Sequence, residues 1–396
     1  MKTISEKNKA IVAVCSIAFL TLVSSATSPA LEVIGQNFPD ASKEAISSIA
    51  TLSTLTSVPF TILSGLLLGK KIKFRTANFI GLFFTFFGGV LPFFATTITQ
   101  VLIGRAILGM GEGISIPVST CLVLSIFKGD DISKQFSRNS MATNVGAVIF
   151  QLAGGYLCNY NWNLPFTVYF LVIPVIIITL LWMPEPKEAV ATDIQTVKNF
   201  KISKIITKHV LFWAFFYGIY MLWFYAYVTQ TSSIIINNDY GNSTTAAVVL
   251  SLFTLVGVGG GASFYGLQKK FGVKSMTIGL VVSGIAFIFL ANAKSIYTYT
   301  FFSLMFGFGY GVIQPAVTYF LGIGLEDDYR AASISFANII TSFGSFGSAY
   351  AVKYSKILFH TTWERTPFVV GFVFFLVLGI MFMFIKTPQM NEEMRI

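Results

Sequence analysis

The sequence predicts an all-α membrane protein in which 12 transmembrane helices form two six-helix pseudo-repeats around a central cavity. Apolar residues make up 54% of the 396-residue chain and charged residues 11%, whereas roughly 25% of the residues of a soluble domain are charged. Twelve apolar runs are long enough to cross about 30 Å of hydrocarbon, which takes roughly 20 helical residues. The pattern Gly-x-Gly-x-Gly-x-x-x-Pro also occurs twice, half a chain length apart.

The apolar runs define the predicted helices and domains. They are too long and too continuously apolar for the alternating strands of a barrel. We expect the first run to remain as a helix, because it is longer than the apolar part of a typical signal peptide. The predicted domains are an N-terminal six-helix bundle (1–183), a cytoplasmic linker (184–208) and a C-terminal six-helix bundle (209–396). The predicted spans are approximately 10–31, 46–69, 76–96, 100–126, 139–158, 164–183, 209–230, 245–267, 275–293, 297–324, 332–352 and 366–386.

The basic residues predict the orientation of the chain in the membrane. If both termini are cytoplasmic, 21 of the 27 Lys and Arg residues fall on the cytoplasmic side, five fall outside and Arg105 lies within a span. Cytoplasmic loops of membrane proteins carry such an excess. We therefore expect an integral protein of the cell (plasma) membrane with both termini in the cytoplasm. The same loops account for the net charge of +10, so no nucleic-acid partner is expected.

Neither a metal site nor an enzyme is predicted. The three Cys residues are odd in number and lie in or at the ends of apolar runs, and the two His residues have no Cys or carboxylate cluster nearby. This pattern favours neither a disulfide framework nor a metal centre. The sequence also contains no ATP-binding Gly-rich loop and no nucleophile elbow. We expect no cofactor.

The repeated glycine pattern marks corresponding helices in the two halves. Both copies lie in long apolar runs, and each is followed by a pair of Asp residues. Small residues let helix backbones approach closely in a membrane, so we expect close helix–helix contacts in each half. The glycines are Gly109, Gly111 and Gly113 in the first copy, and Gly307, Gly309 and Gly311 in the second.

Three charged residues fall within the apolar spans: Arg105, Glu112 and Glu32. A charge at mid-membrane costs roughly 2.5–3.5 kcal/mol, so each needs a role or a partner. Arg105 and Glu112 lie two turns apart on one helix face, about 10 Å along the axis, and we expect both to face the cavity. Burial opposes the charge of the Glu112 carboxyl and a nearby Arg supports it, which makes Glu112 the first candidate for proton coupling. The alternative is a static ion pair. Glu32 is predicted at the outer end of its helix, as a gating residue or a solvated one.

An aromatic stripe on the seventh helix is the main candidate for substrate binding. Tyr217, Tyr220, Phe224 and Tyr227 recur at helical spacing, with Trp223 on the flank. Packing is the alternative, although hydroxyl groups deep in the membrane need partners that lipid does not offer. Further polar candidates in the spans are Asn144, Gln151, Tyr310, Gln314 and Asn338. Together they predict a largely aromatic cavity with a few polar anchors.

Two motifs carry a resemblance to a known family. The segment Gly65-Leu-Leu-Leu-Gly-Lys-Lys-Ile-Lys-Phe-Arg75 is similar to a Gly-x-x-x-Asp-Arg-x-Gly-Arg-Arg loop, with Gly69 in place of Asp. The segment from Arg105 to Gly111 resembles an Arg-x-x-x-Gly-x-Gly motif. On these motifs the chain resembles the major facilitator superfamily over all twelve predicted helices. The resemblance implies that Gly65, Lys70, Lys71, Lys73 and Arg75 form a loop that clips neighbouring helices, and that this clip lacks one partner.

The resemblance also implies the function. Two repeated bundles that rock about a central site provide alternating access, so we expect a monomeric secondary transporter. Its expected partners are protons, the lipid bilayer and a small amphipathic organic substrate. Proton-coupled efflux by antiport is favoured by the aromatic cavity. Proton-coupled uptake of an organic anion is the alternative, because Arg105 can bind a carboxylate. A non-transporting sensor on the same fold is a further alternative.

Overall fold

The computed structural model describes residues 4–69, 71–186, 202–323, 325 and 327–384, and these are predominantly helical. The chain divides into two compact units. The first unit lies within Met1–Phe200 and includes the short segments Thr231–Ile236 and Asn242–Val248. The second lies within Lys201–Gln230, Asn237–Gly241 and Val249–Ile396.

The helices of the first unit follow the predicted order. The first predicted helix is interrupted, because a 3₁₀ segment at Val23–Ala30 separates α1 from α2. Another 3₁₀ segment, Leu164–Leu171, leads into α7. The helices are α1 (Ile4–Leu20), α2 (Leu31–Asn37), α3 (Lys43–Leu67), α4 (Phe74–Val90), α5 (Ile98–Ile126), α6 (Asp130–Cys158) and α7 (Val172–Trp182).

The remaining helices begin after the part of the connection that the structure does not describe. A short helix, α8, precedes six long ones. One end of α9 and one end of α10 contribute the two short segments that cluster with the first unit. The helices are α8 (Ile202–Ile205), α9 (Lys208–Asn237), α10 (Ser243–Phe271), α11 (Ser275–Asn292), α12 (Ile296–Gly322), α13 (Asp327–Leu358) and α14 (Thr366–Phe384).

Ten stretches of the described residues are long and apolar enough to cross a membrane, whereas the sequence predicts twelve spans. One stretch, Ser243–Asn292, has 50 residues and contains both α10 and α11. The helix α13, which corresponds to the predicted span at 332–352, is not among the ten. The stretches establish a membrane protein built of apolar helices.

The helices that carry the glycine pattern begin with the same type of cap. Thr97 accepts a hydrogen bond from the backbone N–H of Gln100 at the start of α5, and the Gln100 side chain accepts one from the N–H of Thr97. At the start of α12, Ser295 and Thr298 exchange the equivalent two bonds. Each capping box satisfies two N–H groups that a helix end leaves free. The two caps fix where these helices enter their units.

The glycines of the pattern lie at close helix–helix contacts. A Cβ on Gly109 or Gly113 would come within 3.0 Å of the backbone of α3, and one on Gly111 within 3.0 Å of the backbone of α4. In the second unit, Gly307 and Gly311 approach the backbone of α10 in the same way. There a Cβ on Gly309 would lie 2.9 Å from the carbonyl oxygen of Gly279 in α11. The close contacts predicted for the glycines are thus present in each unit.

We predict that alanine at the close contacts destabilises both units alike. Gly111→Ala and Gly309→Ala should each cost about 1–3 kcal/mol, because a methyl group forces the two backbones apart. Gly65→Ala and Gly259→Ala are matched controls, since nothing lies within 4 Å of a Cβ at either position. These controls should gain about 0.5–1 kcal/mol from helix propensity. Thermal unfolding of the purified protein in detergent measures the effect, and equal melting temperatures for test and control variants would contradict the prediction.

Candidate functional site

Arg105 is fully buried within the first unit, with 0% of its surface exposed. Its guanidinium donates hydrogen bonds to three other segments of the chain. Nε donates to the carbonyl oxygen of Ile49 at 2.7 Å, Nη2 to the carbonyl oxygen of Ser24 at 3.1 Å, and Nη1 to the hydroxyl group of Tyr169. Arg105 therefore links α5 to α3, to the 3₁₀ segment between α1 and α2, and to the segment that leads into α7.

The 3₁₀ segment between α1 and α2 supplies one of the acceptors of Arg105. Ser24 is in the 3₁₀ segment, which contains Pro29. A proline has no N–H and does not fit the interior of a regular α-helix, and a 3₁₀ segment leaves some carbonyl groups outside the α-helical bonding pattern. The Ser24 carbonyl accepts from the hydroxyl group of Thr27 at 3.2 Å as well as from the guanidinium. In a membrane such irregular backbone is tolerated only where protein groups satisfy it.

Glu112 is also buried, with 8% of its surface exposed. Its carboxyl lies near enough to Arg105 for their charges to interact, and next to the side chains of Ser24 and Ser53. No direct ion pair joins Glu112 to Arg105 within the described part of the chain. Oε1 of Glu112 is buried without a hydrogen-bond partner, and so is Oγ of Ser53. Buried polar atoms in this state are rare in proteins.

A small cavity is lined in part by Glu112. It has room for about one water molecule. Ser115, one turn along α5 from Glu112, also lines it, and Oγ of Ser115 is another buried atom without a hydrogen-bond partner. The other lining residues are Ile17, Leu20, Thr21, Leu82, Thr85 and Ile116. Glu112 thus shares a cavity about the size of one water molecule with residues that carry hydroxyl groups.

The surroundings of Arg105 differ from those that the sequence predicts. The sequence places Arg105 and Glu112 on one face of a helix, and both do lie in the interior of the first unit. The expectation that Arg105 faces an open cavity is wrong, because backbone and tyrosine oxygens surround its guanidinium. The alternative of a static ion pair between Arg105 and Glu112 is not found among the described residues, where the guanidinium bonds to these neutral acceptors. Their positions depend on tertiary packing, so sequence reasoning missed Ser24, Ile49 and Tyr169.

The aromatic stripe of α9 packs mainly inside the second unit. Tyr220 and Tyr227 are fully buried and Trp223 is 7% exposed. The hydroxyl groups of Tyr220 and Ser283 are 3.1 Å apart, which gives the deep Tyr a partner within the protein. Phe224 stacks on Tyr310 with ring centroids 4.5 Å apart. The packing alternative therefore fits Tyr220 and Tyr227.

The less buried residues near the aromatic stripe remain candidates for substrate binding. Tyr217 and Tyr310 keep part of their surface exposed. Gln314 is exposed on α12, which is unusual for an amide on a long apolar helix, and Asn338 is exposed on α13. The indole Nε1 of Trp223 is buried without a hydrogen-bond partner. These groups are the candidates for substrate contact in the second unit.

The other predicted polar residues lie in the first unit. Asn144 is half-buried and donates from Nδ2 to the carbonyl oxygen of Ser140, at 2.8 Å on its own helix. Gln151 is 9% exposed. Glu32 is half-buried at the start of α2, and its backbone N–H donates to the hydroxyl group of Ser232 at 3.4 Å. Asn144 and Glu32 have these bonds outside the surroundings of Glu112.

The basic loop between α3 and α4 is held by a carboxylate that the sequence analysis missed. The two oxygens of Glu185, just after α7, accept hydrogen bonds from the backbone N–H groups of Phe74 (2.7 Å) and Arg75 (3.0 Å). Nε of Arg75 donates to the carbonyl oxygen of Met183 at 2.5 Å. A negative charge at the N-terminus of α4 satisfies its free N–H groups and its dipole. The Pro-Glu-Pro sequence at the end of the predicted sixth span is the only local signal for this cap.

Other members of the predicted loop motif lie at or near the surface of the unit. Lys71 and Lys73 are exposed. A Cβ at Gly65 would meet nothing within 4 Å. Lys70 lies outside the described residues. The contacts of this loop with Glu185 and Met183 hold it to the end of α7, and the clip that the resemblance implies stays a prediction.

The sequence matches the Major Facilitator Superfamily over residues 13–349. The chain belongs to this superfamily. It is a transporter and not an enzyme. No curated protein sequence matches the chain.

Among solved structures, the chain is similar to a point mutant of the nucleoside transporter NupG, with a TM-score of 0.76. The two sequences are 13% identical, and the match covers 94% of this chain and 99% of that chain. It is similar to a POT family transporter in complex with 5-aminolevulinic acid, with a TM-score of 0.73 and 13% identity over 94% of this chain and 95% of that one. These identities show the fold alone.

We predict that Arg105 stabilises the first unit of this transporter. Arg105→Ala should lower stability by about 3–5 kcal/mol, because it leaves several buried acceptors without donors. Arg105→Lys should recover only part of the loss, since an ammonium group does not reproduce the planar fork of donors. Tyr169→Phe is a control that removes one bond and keeps the ring. The melting temperature in detergent should fall most for Arg105→Ala, and an unchanged value would show that the buried bonds are not stabilising.

We also predict that Glu185 caps α4. In Glu185→Ala the amide protons of Phe74 and Arg75 should exchange faster with solvent, because both lose their acceptor. Glu185→Gln, which keeps one acceptor oxygen, should have a smaller effect. Asp40→Ala is the control, since Asp40 is an exposed acidic residue in another loop of the unit. Hydrogen–deuterium exchange with mass spectrometry measures the change, and equal exchange in the Ala and wild-type proteins would refute the cap.

Proposed function

We propose that this transporter is coupled to protons through Glu112. In this proposal it exports a small amphipathic organic compound by alternating access between two six-helix bundles, with twelve spans in total. The observation that carries the coupling site is the buried carboxyl of Glu112, whose Oε1 has no hydrogen-bond partner and which lines a cavity. Acidic groups inside membrane spans are costly and mark ion or substrate pathways.

The surroundings of Glu112 support reversible protonation. A protonated carboxyl can donate to a hydroxyl oxygen and a carboxylate can accept from one, and the Ser24 and Ser53 side chains lie next to this carboxyl. The adjacent cavity has room for a water molecule, through which a proton can leave or arrive. Arg105 supplies a fixed positive charge nearby. The site can therefore accommodate both protonation states.

The position of Arg105 speaks against the uptake of an organic anion. That alternative depends on a guanidinium that is free to bind a carboxylate. Here the guanidinium is fully buried and already donates to three oxygens of the protein. Freeing it would require the separation of three segments of the unit. Export of a neutral or cationic compound does not need this step.

The substrate contacts are proposed to come from groups that remain accessible within their own units. Asn144, Tyr217, Tyr310, Gln314 and Asn338 are exposed or half-buried. Aromatic faces and amides of this kind suit an amphipathic compound with a few polar groups. The similar structures are named for a nucleoside transporter and for complexes with a peptide conjugate and 5-aminolevulinic acid. The fold thus accepts diverse small molecules, so the choice rests on this chain's own side chains.

The topology completes the proposal. The distribution of Lys and Arg supports cytoplasmic termini in the plasma membrane. We propose a monomer with bundles at residues 1–183 and 209–396 and a cytoplasmic linker at 184–208. The similar glycine contacts in the two units support the pseudo-repeat.

Glu112→Gln is the direct test of coupling. The protein is reconstituted in liposomes that contain a pH-sensitive dye, and ethidium, tetraphenylphosphonium and neutral aromatic compounds are added in turn. In wild type, an accepted compound should drive proton movement in the opposite direction. Glu112→Gln should abolish this proton movement and retain exchange of the compound, because the amide keeps the size but cannot titrate.

Glu32→Gln serves as the matched control, since Glu32 is the other acidic residue in an apolar span. It should keep proton movement. Undiminished coupling in Glu112→Gln, or its loss only in Glu32→Gln, would transfer the role to Glu32. Proton and compound moving in the same direction would replace export by uptake.

A further inference from the structure

An apolar groove that Glu112 does not line lies near the end of α3 in the first unit. Its cavity volume is about 180 Å³. Leu63, on its wall, is 50% exposed, so the groove is open to the surroundings of the unit. The lining residues are Phe60, Leu63, Ser64, Leu67, Leu68, Ile72, Ala77, Ile80 and Ile114.

The walls of the groove offer no polar group to a ligand. Ser64 is the polar side chain among the lining residues, and its hydroxyl donates to the carbonyl oxygen of Ile114 at 3.2 Å. Gly65, next to it in α3, leaves open space where other residues have a side chain. A ligand that fills this groove must therefore be apolar along its length. In a membrane protein the abundant ligand of this kind is an acyl chain.

Two exposed lysines flank a residue that lines the groove. Ile72 lines the groove, and its sequence neighbours Lys71 and Lys73 are exposed. The Lys71 and Lys73 side chains form no ion pair or hydrogen bond in the part of the chain that the structure describes. The loop from Leu68 to Lys73 contains no acidic residue. The nearby Glu185 carboxylate already accepts from two backbone N–H groups. Glu185 supplies one negative charge nearby, against the positive charges of Lys71, Lys73 and Arg75, so the described groups of this loop keep a net positive charge.

The loop holds the two lysines in a defined position. Gly69 adopts φ = 76°, which other residues rarely adopt, and its N–H donates to the carbonyl oxygen of Ile72 at 2.9 Å. The N–H of Lys71 donates to the carbonyl oxygen of Leu67 at 3.0 Å. The turn is therefore compact, and it keeps Ile72 in the groove with a lysine on either side.

We propose that this groove is a binding site for an anionic phospholipid. One acyl chain lies between α3, α4 and α5, and the phosphate group contacts Lys71 and Lys73. Basic groups beside apolar crevices between membrane helices recognise anionic headgroups in this way. Such binding requires only that the loop lies at a membrane surface, and it is independent of the proposed coupling through Glu112.

Native mass spectrometry of the full chain tests the proposal. The purified protein is equilibrated in detergent with equal amounts of phosphatidylcholine and phosphatidylglycerol that carry the same acyl chains, and the retained lipids are counted. Wild type should retain phosphatidylglycerol preferentially. Lys71→Gln with Lys73→Gln should weaken its retention by about 30-fold, because each Lys near a membrane surface contributes about five-fold.

A second variant tests the acyl groove separately. Leu63→Trp fills the groove from a half-exposed position, so the fold should tolerate it, and it should also reduce phosphatidylglycerol retention. Unchanged retention in this variant would overturn the proposal, because the lysines alone would then account for binding. Retention of glycerol 3-phosphate itself as strongly as phosphatidylglycerol would do the same, since a soluble phosphate compound lacks an acyl chain.

Lys269→Gln with Lys270→Gln is the matched control. These residues occupy the last turn of α10, in the corresponding loop of the second half. The control should leave phosphatidylglycerol retention unchanged. An equal loss in the control would show a general effect of surface charge and would overturn the site. Melting temperatures of all variants identify any that are misfolded.

Discussion

The first unit depends on the bonds of one buried guanidinium. Hydrocarbon offers no hydrogen bonds, so the guanidinium of Arg105 must find acceptors inside the protein. It finds them on three segments that are far apart in sequence, at Ser24, Ile49 and Tyr169. These bonds fix α5 against its neighbours. They thereby set the surroundings of Glu112, two turns further along the same helix.

Close backbone contact is the second constraint on this unit. Alternate glycines on α5 let α3 and α4 approach from two sides, and a methyl group at any of them would meet backbone atoms within 3.0 Å. The corresponding glycines of α12 play this part in the second unit. Because dispersion forces and close packing hold helices together in lipid, such contacts replace the hydrophobic effect of a soluble core. They leave Glu112 in a tightly packed interior, with only a small cavity beside it.

The site was predictable in part. Glu112 and Arg105 stand out because charged residues are rare in apolar spans, and their spacing places them on one face of a helix. The close glycine contacts were predictable for a similar reason, since small residues at fixed spacing have few other uses in a membrane helix. The neighbours of the two charges were not predictable. A backbone carbonyl has no sequence signal, and Ser53 is one of many serines in the apolar runs.

The sequence by itself determined the class of the protein, its apolar helices and the residues that bear charge inside the membrane. These properties follow from composition and periodicity, which act locally along the chain. Only the tertiary structure decided what each side chain does. It buried Tyr220 and Tyr227 in packing, made Arg105 a link between helices, and gave the N-terminus of α4 its carboxylate from Glu185. The physical reason is that these roles depend on partners brought together from distant segments, whose approach no local pattern specifies.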